Sequence, residues 1–487
     1  MFQQNISKKE YKMHIVGRKV EQDKLEQCIL TGRPEFVVVY GRRRVGKTFL
    51  IKEYFNNNFS FFSTGLLDGK TRSQLKAFNE ALGEYGDAEK NIPKDWFEAF
   101  RRLRIILERV DVKKDAVSGR RVVFLDEVPW MDTPRSDFRV ALDYFWNSWG
   151  SSQKDFMLIV CGSATSWIIN NILFDTGGFY NRVTRQIHLA PFNLSECEEF
   201  FRNNSISFTR KQIIDSYTVF GGIPYYLNLL DKRLSLVQNI DNLVINSQGQ
   251  LHYEYDHLFS SLFKNAGNHI KIISALAEKR KGMERTELVK ESGISDGEGL
   301  TKALRELEQC GFIRKYKRYS YEKNGAFFQL IDPFVMFSVA FLKDISIDSW
   351  QKFYKSASYY SWCGNAFEVV CLHHIPQIKN RLGISGIIST EYSWKSKKNK
   401  GGAQIDLLID RKDDIINLCE AKYTDNEFVI DSEYQDELIN KAEVFREETG
   451  TDKAIHITLI TVKGLKRNEY SDVVQNIITG DDLFNNN

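Results

Sequence analysis

Eight consecutive residues, Gly41-Arg42-Arg43-Arg44-Val45-Gly46-Lys47-Thr48, space two glycines, a lysine and a hydroxyl residue in the P-loop pattern. The glycines let backbone N–H groups turn inward around phosphate oxygens. Lys47 is expected to reach the β- and γ-phosphates of a nucleotide, and Thr48 to offer its hydroxyl to Mg2+. A helix running on from Phe49 would aim its partial positive end at the same place. Residues 41–49 are therefore the expected contact for ATP.

A second set lies further along. Val122-Val123-Phe124-Leu125 is an apolar run that ends in Asp126 and Glu127. Two carboxylates at the edge of a strand suit Asp126 to the water shell of Mg2+ and Glu127 to polarising the attacking water. A third set is C-terminal: Glu368 in a helical stretch, Asp406 entering a strand, and Glu420-Ala421-Lys422 on the next strand. Alternation along a strand puts Glu420 and Lys422 on one side. A hairpin would bring Asp406 close to Glu420. Asp406 and Glu420 can then hold Mg2+, Lys422 can stabilise a hydroxide aimed at a phosphodiester, and Glu368 can complete the shell.

These groups need elements to position them. Residues 1–35 carry a helical pattern with Val20, Leu25 and Ile29 on one side. Residues 36–40, 121–128 and 156–163 each carry a continuous apolar run, the mark of buried parallel strands, with helical stretches between them. This alternation implies an α/β layer architecture. Residues 195–264 read as helical. Residues 265–330 read as three short helices, one of them beginning at Met283, followed by a hairpin turning at Asn324-Gly325. A helix around residues 364–375 and strands at 405–409, 415–420 and 454–462 form a second α/β module. The expected segments are 1–194, 195–264, 265–332 and 333–487.

Residues 14–230 resemble the archaeal-type ATPases of the signal-transduction (STAND) branch of AAA+-like P-loop proteins. Ile15-Val16-Gly17-Arg18-Lys19-Val20-Glu21 is similar to the family's Val-Gly-Arg-x-x-Glu box, which implies Gly17 and Arg18 beside the adenine. The loop at 40–48 matches almost letter for letter. Cys161-Gly162-Ser163 resembles the sensor strand, implying that Ser163 approaches the γ-phosphate. Asn181-Arg182 followed by Pro191-Phe192 resembles a Gly-Arg…Pro-Phe segment with Asn181 in place of the glycine, and makes Arg182 a candidate phosphate sensor. Gly221-Gly222-Ile223-Pro224 resembles the lid turn, implying that Gly222 and Pro224 pack on the base. Residues 265–332 have the order of a winged helix, with Arg314, Lys315, Lys317 and Arg318 interleaved with tyrosines on the wing, which suits phosphate contact. The C-terminal module, through Glu368, Asp406, Glu420 and Lys422, is similar to the PD-(D/E)XK restriction-endonuclease-like fold. The implied whole is a P-loop NTPase parallel sheet with a helical lid, a winged helix and a second, smaller α/β domain.

Composition bounds the partners. With 42% hydrophobic and 27% charged residues the chain reads as ordinary globular protein. A net charge of +3 is too near balance to argue for nucleic acid, so DNA contact must come from local patches. One such patch is the run Lys395, Lys397, Lys398, Lys400, Gly401 and Gly402, expected as a mobile loop. A DNA or other nucleic-acid partner, a protein partner read by a catalytically inactive C-terminal module, and homo-oligomer formation all stay open. The start of the chain lacks an apolar signal region and no apolar stretch is long enough for a membrane span, so a cytoplasmic protein is expected. Seven cysteines without a CxxC pair fit a reduced chain. Cys371, His373 and His374 sit close together, but in an apolar stretch where ordinary helix packing is the simpler reading.

Overall fold

The computed structural model describes residues 15–174, 179, 181–263, 265–279, 281–319, 326–344, 348–397 and 402–485. The chain divides into two compact units at Ala190 and Pro191. The segments expected at 195–264, 265–332 and 333–487 all fall in the second unit.

The first unit is built on a five-stranded parallel sheet. Its strands are β1 (Glu35–Tyr40), β2 (Phe61–Thr64), β3 (Arg121–Asp126), β4 (Phe156–Gly162) and β5 (Arg185–His188), in the order β2-β3-β4-β1-β5. The three central strands are buried along almost their whole length, which is why they read as unbroken apolar runs. The edge strands β2 and β5 carry Ser63, Thr64, Arg185, Gln186 and His188 and lack that signal. A core of Phe36, Phe61, Phe78, Trp96, Phe138 and Phe156 lies against the sheet.

The first helix spans Lys19–Leu30 and buries Leu25 and Cys28. Val20, expected on the inward side with Leu25, is 64% exposed. The two are five residues apart, about 140° around a helix of 3.6 residues per turn, so they cannot share a face. Cys28, three residues after Leu25, takes that place.

In the second unit, helices run through the 195–264 region, among them Leu194–Asn203 and Arg210–Phe220. A three-stranded antiparallel sheet follows: β6 (Met283–Glu284), β7 (Ile313–Tyr316) and β8 (Phe327–Leu330), in the order β6-β8-β7, with helices Arg285–Ser292 and Glu298–Gln309 between β6 and β7. Met283 and Glu284 thus pair with Phe328 and Phe327 instead of opening a helix. The expected Asn324-Gly325 turn lies outside the described residues.

The C-terminal part is a mixed sheet. Its strands are β9 (Ser389–Lys395), β10 (Gln404–Arg411), β11 (Ile415–Lys422), β13 (Ala454–Thr461) and β15 (Asn476–Thr479), and a small pair is formed by β12 (Phe428–Val429) and β14 (Leu465–Lys466). The order is β15-β13-β11-β10-β9, antiparallel across β11-β10-β9 and parallel across β15-β13-β11. Helix Ala357–His373 is associated with β11. Lys395, expected in a mobile loop, is the last residue of β9. Lys398, Lys400 and Gly401 lie outside the described residues. The segment after β7 is joined to β9 by backbone: Arg318 bridges Ser393, and the Tyr319 N–H donates to the Ser393 carbonyl at 2.9 Å.

Candidate functional site

Three of the expected groups meet at the carboxyl ends of β1, β3 and β4, because β4 lies between the other two. β1 runs into the loop at 41–48, and the helix Lys47–Tyr54 starts from it. Gly46 has a φ of 90°, in the region that favours glycine. A Cβ built on it would meet nothing within 4 Å, so the loop turns around open space. At Gly41 the reason for glycine is different: a Cβ there would lie 2.2 Å from the Leu189 carbonyl oxygen. Lys47 is buried and its ammonium donates to the carbonyls of Gly41 and Arg42, both at 2.9 Å. This set fits a magnesium–nucleotide: inward backbone, an ammonium at the loop's concave side, and a hydroxyl beside a carboxylate.

The hydroxyl is that of Thr48, which donates to Asp126 Oδ2 at 2.7 Å. The other oxygen of Asp126 accepts the backbone N–H of Glu127 at 3.0 Å. Glu127 itself adopts a φ of 49° and turns its carboxylate toward β4, where Oε2 accepts both the N–H and the hydroxyl of Ser163, each at 2.9 Å. Burial pushes the Glu127 carboxyl up from its ordinary range, against the opposing pull of Lys47 and Ser163. Gly162 permits this approach, since a Cβ there would lie 2.6 Å from the Pro129 ring.

The remaining expected contacts are more dispersed. Arg18 is buried and donates to the Val45 carbonyl at 3.3 Å, and Gln22 donates to the Gly17 carbonyl at 2.7 Å, so the Gly17-Arg18 segment braces the loop. Phe49 is 53% exposed. Arg43 is half-buried, and Arg44 has a φ of 73°. Arg182 is exposed. Asn181 has a φ of 56°, in the left-handed region that glycine and asparagine tolerate best, which explains asparagine where the resembling family has glycine. Gly222 and Pro224 belong to the second unit. There Gly222 accepts the Phe192 N–H at 2.8 Å in a turn with φ 67°, and Pro224 opens the short helix Pro224–Leu227.

The C-terminal set also gathers, but around lysines. β10 pairs with β11 from Leu407 opposite Cys419 to Asp410 opposite Ile416, and Asp406 and Glu420 are the next residues on the two strands. Glu368 comes from helix Ala357–His373. The ammonium of Lys281 donates to Glu368 Oε2 at 2.7 Å and to Asp406 Oδ2. Glu420 is paired with Lys422 at 3.3 Å and with Lys441 at 3.0 Å. Burial, then the Asp406 charge, pushes the Glu368 carboxyl up. Lys281 holds its proton more tightly despite burial, which opposes the charge, because Asp406 and Glu368 flank it. Among the described residues, no three His, Cys, Asp or Glu side chains converge in a metal-holding group. The Cys371–His374 stretch is helix packing: His374 is fully buried, with Nε2 accepting the Leu194 N–H at 3.0 Å and Nδ1 2.7 Å from the Val370 carbonyl.

A family described as an ATPase domain predominantly from Archaea matches residues 15–230. These residues are a P-loop ATPase domain. A curated relative, an uncharacterized protein of Methanocaldococcus jannaschii, is 25% identical over 266 residues, 54% of this chain and 54% of its own. The chain thus matches about half the length of that relative. Among solved structures, a Walker-type ATPase of Pyrococcus abyssi is similar at 18% identity with a TM-score of 0.48, over 67% of this chain and 96% of its own. The ORC2 protein of Aeropyrum pernix is similar at 12% identity with a TM-score of 0.44, over 76% and 98%.

Within residues 15–230, Lys47, Thr48, Asp126, Glu127 and Ser163, which gather at the ends of β1, β3 and β4, were all singled out in sequence. Outside that range, Lys281 and Lys441 were not. Lys281 follows a charged stretch after a helix, and Lys441 has the spacing of an ordinary i,i+4 partner of Glu437. Neither carries a sequence signal, since only the fold brings them to the carboxylates.

Proposed function

We propose that the chain binds Mg·ATP in the loop at 41–48 and hydrolyses it, and that its nucleotide state governs the C-terminal module. The hydrogen bond from Thr48 to Asp126 carries the first part, because it joins the loop's hydroxyl to the strand-end carboxylate beside the nucleotide cradle. Mg2+, when bound, would neutralise phosphate charge; Thr48 and Asp126 are the residues to hold it. Lys47 exchanges its two carbonyl partners for phosphate oxygens. Glu127 orients and polarises the attacking water once its carboxylate leaves Ser163, and Ser163 is then free to face the phosphate.

For the C-terminal module we propose action on nucleic-acid phosphodiesters, in which Glu368, Asp406 and Glu420, now paired with Lys281 and Lys441, would hold a metal only once those lysines turn away, with Lys422 beside the nucleophile. A module of PD-(D/E)XK type is supported by the β10–β11 hairpin that carries Asp406 and Glu420 on neighbouring strands and by Glu368 sharing Lys281 with Asp406. The competing reading, a regulatory scaffold for a protein partner, is favoured by the lysines that already neutralise all three carboxylates.

Two measurements separate these parts. Nucleotide binding and phosphate release with Lys47→Ala and Glu127→Gln test the first: retained binding in Lys47→Ala overturns it. Cleavage of labelled DNA and RNA in Mg2+ or Mn2+, with Glu420→Ala/Lys422→Ala as control, tests the second. No cleavage by the unaltered protein, with or without ATP, favours the scaffold.

A further inference from the structure

A narrow cleft opens between the three-stranded sheet and β9–β10 in the second unit. Lys281, Arg314, Arg318 and Lys395 line it together with Ser393 and Asp406. Its charge is unbalanced. The carboxylate of Asp406 is already engaged by Lys281, which also holds Glu368. Among the described residues, Arg314, Arg318 and Lys395 have no carboxylate within ion-pair distance. Arg314 donates through Nε to the neutral Gln329 at 2.7 Å, and its guanidinium lies 4.4 Å from the Tyr316 ring centre. Arg318 lies 3.7 Å from the centre of the Phe327 ring. Burial makes the charge on Arg314 costly, lowering its hold on its proton. Cations kept in a cleft on aromatic faces, where among the described residues the one lining carboxylate, Asp406, is already paired with Lys281, are compensated when an oxyanion enters.

The walls are held by the chain itself. β7, which carries Arg314, leads into Arg318, and Arg318 is bridged by backbone to Ser393 on β9. Lys395 lies two residues further along β9, on the side shared with Ser393. Planar guanidinium groups fit phosphate oxygens in pairs. The cleft also abuts Asp406, at the edge of the Glu368–Asp406–Glu420 carboxylates.

We propose that this cleft is a phosphate site for a nucleic-acid backbone, in which Arg314, Arg318 and Lys395 hold one phosphate next to the carboxylate set. The site joins the 265–332 segment to the C-terminal module, so neither segment alone would bind. The choice of nucleic acid over free phosphate rests on the phosphodiester reading above; the anion site itself stands on the cleft's charge.

The test is fluorescence anisotropy of labelled single- and double-stranded oligonucleotides with the full chain in EDTA, where no cutting occurs. Arg318→Gln/Lys395→Gln is expected to weaken binding at least tenfold and to reduce the salt slope by about 1, for the one phosphate the site holds. Its urea-unfolding midpoint is expected to match that of the unaltered protein, which controls for folding of the second unit. Arg314→Gln is the more severe variant, and Arg314→Lys should recover part of the affinity. Equal oligonucleotide affinity in Arg318→Gln/Lys395→Gln and the unaltered protein overturns the site. Binding of inorganic phosphate alone, without oligonucleotide binding, overturns the nucleic-acid assignment. Because binding is read without metal, an uncut substrate in Mg2+ would sink the nuclease reading and leave this result standing.

Discussion

The N–H and the hydroxyl of Ser163 both donate to the same oxygen of Glu127, each at 2.9 Å. Glu127 is the carboxylate assigned to water, and Ser163 closes the strand between it and the phosphate loop. The two donors favour the ionised form of Glu127, while burial favours the neutral one, so in the proposed mechanism Ser163 holds the base in reserve.

Removing one donor tests this balance. In Ser163→Ala the hydroxyl is lost and the N–H stays, so the Glu127 carboxyl rises further. The acid limb of the pH profile of kcat/KM for ATP hydrolysis should move to higher pH, and an unmoved limb would remove Glu127 from the role of base. Glu127→Gln should lower kcat about 100- to 10,000-fold with nucleotide binding retained, the usual range for a lost general base.

The same carboxyl has a consequence for stability. Its folded pKa is raised, so between its unfolded and folded values the folded chain holds the extra proton, and stability falls as pH rises through the folded value. Glu127→Gln removes that fall. Denaturant midpoints of the nucleotide-free protein should therefore differ more between variant and unaltered chain at pH 8 than at pH 4, with the variant the more stable at pH 8. A constant difference across pH would count against a buried, ionisable Glu127.

His374 gives the opposite slope. Burial lowers its pKa to about 3, with both ring nitrogens committed in the neutral form. The unfolded chain takes up a proton there near pH 6.5 that the folded chain refuses, so stability is lost as pH falls from about 6.5 toward 3, by up to about 1.4 kcal/mol per pH unit. His374→Gln should flatten the acid side of the stability profile of the second unit, measured by urea unfolding at pH 7, 6 and 5.

A hydrogen bond ties helix Arg210–Phe220 to the residue just after β11. The Tyr423 hydroxyl donates to the buried Asp215 at 2.6 Å, and Lys211 pairs with Asp215 at 3.0 Å. Tyr423 follows Lys422 directly, so this contact sits next to the C-terminal carboxylate set. Tyr423→Phe should cost about 1.5–3 kcal/mol in second-unit stability, the range for a hydrogen bond to a charged group. A cost below about 0.5 kcal/mol would mean that Lys211 alone satisfies Asp215.

Where candidate residues follow directly on a strand, the sequence was enough to predict that they come together. The loop at 41–48, Asp126-Glu127 and Ser163 each follow a buried apolar run, and a parallel sheet brings the ends of such runs to one edge. The three central strands were legible for the same reason, and the edge strands β2 and β5 were not, because half-solvated strands keep polar residues. The β10–β11 hairpin that brings Asp406 and Glu420 onto neighbouring strands was legible because a hairpin is a local structure. Tertiary structure alone decided what meets the carboxylates. Lys281 lies 87 residues from Glu368 and 125 from Asp406 in the chain, and an ion pair across such distances leaves no periodicity behind. The charge excess of the cleft beside Asp406 arises in the same way, from side chains of β7 and β9 that only the backbone bridge at Arg318 and Ser393 brings together.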